Sequence, residues 1–198
     1  MKRKRCEIVK RDEIDTVLLQ ARIGRLGTVG ADGYPYVTPV NYVYHDGSIY
    51  FHCSRVGEKL DNIRRDDRVC FEVDIPLAYL DLDYYGENPE ACGVTQFYHS
   101  VVVRGRAAVV ADIDEKVGAL NALMVSHERE GRQFREITVD TKAVSLCEVV
   151  AVRVETVTGK RELAQKKSRE EKEQLAAYLR KRNLPGDSDA ADWIVSAG

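Results

Sequence analysis

The fold is decided by residues 33–54, which read GYPYVTPVNYVYHDGSIYFHCS. Side chains alternate between two faces over residues 36–44, and residues 49–53 form a second run of β-forming residues. The HDGS sequence at 45–48, between these two runs, is a turn signal. Together with a further β-forming run at 24–29, the pattern predicts three antiparallel strands joined by short links.

The rest of the chain continues this β-rich pattern. A valine-rich run at 97–110 fits a long strand that bends or bulges at Gly105, and segments 134–139 and 143–158 return to strand character. Residues 75–95 hold two of the five prolines, and we expect them to form a long surface excursion. Since strands and helices do not alternate regularly, a small closed or partly open antiparallel barrel is favoured over a doubly wound parallel sheet.

Helices are expected at the periphery of this barrel. The sequences Asp112-x-x-Glu115 and Ser168-x-x-Glu171 have the form of capping boxes, which begin helices. The second of them predicts a helix over 168–182. The chain is therefore expected to contain a barrel domain at 1–162 and a charged helix with a tail at 163–198.

The composition is that of a soluble globular protein and is not that of a membrane protein. The 198 residues are 44% hydrophobic and 31% charged, and no apolar run approaches the length of a membrane span. The basic N-terminus is not followed by the apolar stretch of a secretory signal, so we expect a cytoplasmic location. The five cysteines never form a C-x-x-C pattern, which favours reduced thiols and predicts no metal site.

The charge distribution does not favour a general role in nucleic-acid binding. The net charge is -2, although segments 1–11 and 160–182 are both strongly basic. The rest of the chain is correspondingly acidic, so binding of nucleic acid through the two basic ends is kept only as a minor alternative.

The sequence YFHCSRVGEKL at 50–60 is the first candidate site. It ends a strand at His52 and Ser54, turns at Gly57 and begins a helix with Lys59 in its first turn. Helix amides, a hydroxyl and an ammonium group are the donors that an anionic phosphate needs. The segment is either a phosphate cradle or an ordinary solvated helix start.

A second candidate is Pro39-Val40-Asn41-Tyr42, in the middle of a predicted strand. Proline removes a donor from the hydrogen-bond ladder, so the break frees backbone groups. These groups can meet the polar edge of a flat heterocycle. The alternative is a barrel corner in which Asn41 bonds to a neighbouring strand.

Several motifs, in this order, resemble the flavin-binding split-barrel superfamily of pyridoxamine-5'-phosphate oxidase. They are residues 24–29, 33–42 and 49–54, the sequence Gly57-x-Lys59-Leu60, and the later segments 98–107 and 157–160. The closest resemblance is to the 5-nitroimidazole-resistance (Nim-like) branch, and it covers about residues 10–162.

This resemblance implies a six-stranded antiparallel Greek-key split barrel that forms a homodimer, with one FMN in each of two clefts between subunits. His52 would be the catalytic residue, facing the flavin and the substrate space. The implied flavin contacts are Pro39, Val40, Asn41 and Tyr42 along the isoalloxazine, His52, Cys53 and Ser54 at the ring and ribityl chain, Lys59 at the phosphate, and Ser100 and Val101 from the other strand set.

The resemblance also implies a function, an FMN-dependent oxidoreductase that reduces a small substrate such as a nitroimidazole. The alternative is a non-catalytic flavin- or haem-binding or sensing protein that uses the same cleft, with His52 or His99 as an axial haem ligand. Vitamin oxidation is disfavoured because the charged C-terminal segment lacks the basic, tryptophan-containing end of the true oxidases. Trp193 is expected either to cover the cleft or pack on a partner, or to be exposed, and His127 is predicted to be a surface residue.

Overall fold

The computed structural model describes residues 3–196, which form eight strands and six α-helices. The strands are β1 (Glu7–Ile8), β2 (Ile23–Val29), β3 (Pro35–Asn41), β4 (Val43–His45), β5 (Ser48–Cys53), β6 (Arg68–Leu80), β7 (Thr95–Val109) and β8 (Glu148–Glu162). The helices are α1 (Arg11–Gln20), α2 (Glu58–Arg65), α3 (Ile113–His127), α4 (Lys142–Leu146), α5 (Arg169–Arg182) and α6 (Asp187–Ser196). None of the helices in this part of the chain has the length and apolarity needed to cross a bilayer.

All eight strands belong to one sheet, in the order β3-β2-β6-β7-β8-β5-β4, with β1 paired to β8. The pairs β1–β8, β2–β3, β2–β6, β4–β5 and β5–β8 are antiparallel. The prediction of a mainly β, antiparallel fold with peripheral helices is confirmed. The structure has more than six strands because the short β1 is added and the predicted strand 36–44 divides at Tyr42.

Two segments differ from the sequence-based expectation. Residues 134–139 are irregular and 142–146 are helical, although the sequence predicted strands there. Phe134 and Val139 are both exposed, so the β-forming residues of this segment do not serve a buried strand face. The first part of the predicted surface excursion at 75–95 is instead the end of β6, which continues to Leu80. The alternating side chains of Ala78 and Leu80 are buried in the core.

The chain divides into two compact units. Unit 1 comprises the described parts of Met1–Val17, Asp74–Val101 and Thr158–Gly198, and unit 2 comprises Leu18–Val73 and Val102–Val157. The expected domain boundary at residue 162 stays a prediction.

Unit 2 has a core layer between the sheet and helices α3 and α4. Its buried members are Val43, Tyr50, Val110, Ala119, Leu120, Leu123, Val144, Val149 and Ala151. The backbones approach closely at Gly105, where an added Cβ atom would lie 2.0 Å from the carbonyl oxygen of Arg153. This contact explains why β7 carries glycine at a position where valines surround it.

Unit 1 has its own core, built largely by the two C-terminal helices. Its buried members are Ala78, Leu80, Phe97, Leu163, Leu175, Ala176, Leu179, Ala190, Ala191 and Ile194. The capping box of α5 is present, since Ser168 and Glu171 satisfy each other's backbone N–H groups. Helix α6 replaces the expected tail, and Trp193 on it is half-buried against this core.

His99, on β7, is a buried ionisable group in unit 1. Its side chain is 2% exposed, and its ring meets the edge of Trp193 with 4.8 Å between centroids. Neither ring nitrogen has a hydrogen-bond partner within residues 3–196. Burial, together with the nearby charge of Arg161, lowers the pKa of His99 to about 4 against the opposing effect of Glu13.

We predict that His99 makes the protein less stable in acid. As the pH falls from 6.5 towards 4, the unfolded chain binds a proton that folded His99 resists, so stability is lost across that window. Replacing His99 with Phe should remove this loss, which amounts to roughly 3 kcal/mol. Urea unfolding of both proteins at several pH values measures it; identical pH dependences would contradict the prediction.

Candidate functional site

The end of β5 and the start of α2, both in unit 2, bring several predicted site residues together. His52 is exposed on β5, opposite Val149 of β8, and Ser54 is exposed just beyond the strand. The Ser54 hydroxyl accepts a hydrogen bond from the Val56 N–H at 3.4 Å. This small turn delivers the chain to the first residues of α2.

The N-terminus of α2 is open. Its N-cap, Gly57, has φ 140°, a conformation that favours glycine, and no side chain caps the helix. An added Cβ atom at Gly57 would meet nothing within 4 Å, so there is free space in front of the first turn. Lys59 lies in that turn, which places an ammonium group beside the positive end of the helix dipole.

Cys53 is half-buried between these exposed groups. Burial raises the pKa of its thiol, and the positive charge of Lys59 offsets only part of that rise. The thiol is therefore protonated at neutral pH, which does not suit nucleophilic catalysis.

The predicted set at residues 39–42, at the end of β3 and the residue after it, is divided between two faces. Pro39 and Asn41 are exposed, whereas Val40 and Tyr42 are buried. The Tyr42 hydroxyl donates to the Leu18 carbonyl oxygen at 2.6 Å, so this side chain belongs to the core. Only the backbone of Tyr42 is left to face a ligand.

Asn41 and His52 line one cavity of about 420 Å³ in unit 2. The cavity lies between the sheet and the helical layer. Its remaining lining residues are Leu120, Leu123, Met124, His127, Ile137, Ala143, Leu146 and Cys147.

His127 is half-buried and lines this cavity. Its Nε2 lies 2.9 Å from the carbonyl oxygen of Tyr42, and since a carbonyl only accepts, Nε2 carries the hydrogen. The spacing of Leu120, Leu123 and His127 along α3 places all three on one helix face. That periodicity in the sequence was the signal that could have located His127.

The irregular segment between α3 and α4 is held over the cavity by Asn121. The Asn121 side-chain amide donates to the carbonyl oxygen of Ile137, and its Oδ1 accepts from the Ile137 N–H, both at 2.9 Å. This paired contact fixes the backbone at Ile137, whose side chain forms part of the cavity wall.

The other expected site residues, Ser100 and Val101, belong to unit 1 on β7. Val101 is fully buried and Ser100 is half-buried. Their contact with a flavin stays a prediction. His99, the other proposed haem ligand, has its ring packed against Trp193 in the core of unit 1.

The cavity contains two histidines and a cysteine, which raises the question of a metal site. Among residues 3–196, no group of three or more histidine, cysteine, aspartate or glutamate side chains is arranged to hold a metal ion.

Comparison with known proteins identifies the family. A sequence model of the pyridoxamine 5'-phosphate oxidase family matches residues 10–161. The chain belongs to that family. The match includes the β5–α2 turn, β3 and α3, and ends before the two C-terminal helices. None of the curated proteins matches the chain.

Solved structures of similar proteins confirm the split-barrel class of fold and the resemblance stated from sequence. A proposed 5-nitroimidazole antibiotic resistance protein from Bacteroides thetaiotaomicron is 25% identical, with a TM-score of 0.64 over 78% of this chain and 86% of that one. A FAD-binding protein from Mesorhizobium loti is 25% identical, with a TM-score of 0.53 over 78% of this chain and 96% of that one. The FAD and heme binding protein from Mycobacterium smegmatis is 19% identical, with a TM-score of 0.67 over 79% of this chain and 73% of that one, and shows the fold alone.

We predict that Asn121 protects the Ile137 amide from hydrogen exchange. Replacing Asn121 with Ala removes the acceptor, so the Ile137 N–H should exchange at least tenfold faster. Replacing Asn121 with Asp keeps an acceptor oxygen and should preserve most of the protection. Exchange followed by NMR measures both variants; equal rates in the wild type and Asn121→Ala would show that the contact does not hold the segment.

Proposed function

We propose that the protein is an FMN-dependent oxidoreductase that reduces a small, nitroimidazole-like substrate. The observation that carries this proposal is the open start of α2 with Lys59 in its first turn, joined by a short turn to exposed His52. Membership of the pyridoxamine 5'-phosphate oxidase family and the likeness to a proposed 5-nitroimidazole resistance protein support it.

The residues present fit a flavin mononucleotide. The phosphate would be held by the Ser54 hydroxyl, the first amides of α2 and the Lys59 ammonium group, in the free space before Gly57. The flavin ring would lie against Pro39, whose side chain is exposed. The buried side chain of Val40 would support the strand from the core.

The flavin supplies hydride chemistry when it is bound, and the protein supplies position and protons. His52 would donate a proton to the reduced substrate or orient it by a hydrogen bond. Its exposed position at the end of β5, beside the cavity lined by Asn41, brings the imidazole within reach of a bound molecule.

A homodimer with the flavin at the subunit interface is part of this proposal. The outer face of β2 and β3 exposes Ile23, Val29 and Val37, which are 41–61% exposed. These residues share a face with Pro39 and Asn41, because Val37 pairs with Gly27, Pro39 with Arg25 and Asn41 with Ile23. An apolar face next to the residues proposed to contact the flavin suits burial against a second copy of the chain.

The cytoplasmic location expected from the sequence likewise stays a prediction.

We predict that Lys59 recognises the phosphate of the flavin. The Lys59→Ala variant should bind FMN at least tenfold more weakly, because a hydrogen bond from a charged donor is lost. Riboflavin, which has no phosphate, should bind the wild type and the variant equally. Fluorescence titration with both flavins measures this, and Lys181→Ala, on α5, is the control. A variant that loses both flavins equally would contradict a phosphate role.

We further predict that His52 serves turnover and not flavin binding. The His52→Phe variant should keep its affinity for FMN within about twofold and lose about 10²-fold in kcat, the size of a general-acid contribution. The assay follows oxidation of reduced nicotinamide with a 5-nitroimidazole as acceptor. A wild-type protein that holds FMN but shows no turnover would point instead to the non-catalytic binding protein, and equal turnover in His52→Phe would remove the role of His52.

A further inference from the structure

We propose that the last two turns of α6 form a hinged cap over His99, which opens locally while the rest of unit 1 stays folded. The α6 cap comprises residues 190–196, and its opening gives solvent access to the His99 imidazole. All the groups involved belong to unit 1. The cap lies outside residues 10–161, which the family model matches, and the proposal does not depend on the proposed function.

The start of α6 is fixed to the body of unit 1. Asp187 is 1% exposed and accepts hydrogen bonds from Nη2 and Nε of Arg182, at 2.6 and 2.9 Å. Gly186, directly before the helix, has φ 85°, and an added Cβ atom there would collide with the carbonyl oxygen of Leu77. The beginning of the helix is therefore the fixed end of the hinge.

The cap itself is held by few strong contacts. Its buried side chains are two alanines and Ile194, and Ile194 is the large one among them. The ion pair between Asp192 and Arg180 joins side chains that are at least half exposed, and such pairs contribute little. A helix of ten residues is too short to be stable alone in water. The closed position therefore depends mainly on the packing of Ile194 and Trp193.

Trp193 packs on a group that opposes closure. Its ring lies against the ring of His99, which is 2% exposed. In the part of the chain that the structure describes, neither nitrogen of His99 has a hydrogen-bond partner, and the indole N–H of Trp193 can only donate. A buried polar group without a partner raises the free energy of the closed state, and hydration on opening removes that penalty.

Protonation of His99 should add to this effect. The charges that act on the ring are Arg161 of β8 and Glu13 of α1, which pair at 2.8 Å. The α6 carboxylates Asp187 and Asp192 are bound to arginines of α5. The closed state holds the pKa of His99 at about 4 by burial and by the charge of Arg161, whereas an open, hydrated imidazole has its ordinary pKa of 6.5. Lowering the pH from 7 to 5 should therefore favour opening by about twentyfold.

The test is hydrogen exchange of the full chain, followed by mass spectrometry and corrected for the intrinsic exchange rate at each pH. The His99→Phe variant should raise the protection of the cap about tenfold at pH 7, because it removes the two unpartnered nitrogens. His45→Phe is the matched control, since His45 is an exposed histidine of unit 2, and it should exchange like the wild type.

Local opening is tested in the wild type by comparing the cap with α5. Because a local opening exposes little surface, urea below the unfolding transition should leave exchange of the cap unchanged while it accelerates exchange of α5. The cap should also be at least tenfold less protected than α5. Between pH 7 and pH 5, its protection should fall about twentyfold in the wild type and in His45→Phe, and should stay constant in His99→Phe.

Two results would overturn the proposal. If the cap and α5 share one protection factor and one urea dependence, α6 opens only when the whole unit unfolds. If cap protection in His99→Phe equals that of the wild type at pH 7, His99 does not oppose closure. Should His99→Phe fail to fold, the wild type decides, since cap protection that does not fall between pH 7 and pH 5 also removes the role of His99.

Discussion

The arrangement of unit 2 depends on one residue that is held at both ends. The phenol of Tyr42 donates to the Leu18 carbonyl in the core and packs edge-on against Phe71, with 5.0 Å between ring centroids. Burial raises the pKa of this phenol, so it remains a neutral donor. The carbonyl oxygen of Tyr42, on the opposite side, accepts from His127. These bonds separate β3 from β4 and leave Asn41 facing the cavity.

Helix α3 is also held at both ends, by hydrogen bonds between its side chains and the sheet region. At its first turn, Glu115 accepts from the Tyr50 hydroxyl at 2.9 Å, and Arg153 bonds both of these side chains. At its last turn His127 bonds Tyr42. A helix held at these two points forms one side of the cavity through Leu120, Leu123 and Met124.

The sequence predicts the strands and the capped helices because their signals are local. The alternation in 36–44 and the capping residues Asp112 and Ser168 act over a few positions, and the structure contains both features. The site could be predicted only in part, since its residues are selected by side-chain direction. Val40 and Tyr42 adjoin exposed neighbours in sequence, yet strand geometry turns them into the core.

Longer-range features could not be derived from local patterns. Segment 134–139 has β-forming residues, but strand formation needs a partner edge, and here the Asn121 side chain takes the place of a strand at Ile137. The surroundings of His127 likewise depend on residues distant in sequence. Its place on α3 relative to Leu123, together with a backbone carbonyl freed by the break at Tyr42, determines its position.

The C-terminal helices show that several basic groups of segment 160–182 are paired with carboxylates. Arg182 bonds buried Asp187 at 2.6 Å and Asp81 at 2.5 Å, which joins the end of α5 to the start of α6 and to the chain after β6. Other cations of the segment have partners in unit 1: Arg161 with Glu13, Lys167 with Glu171, Arg169 with Glu173, and Arg180 with Asp192. These ion pairs compensate the positive charge within the unit. Arg180 and Arg182 therefore hold α5 to α6, whereas the pairs Lys167–Glu171 and Arg169–Glu173 are local contacts at the start of α5.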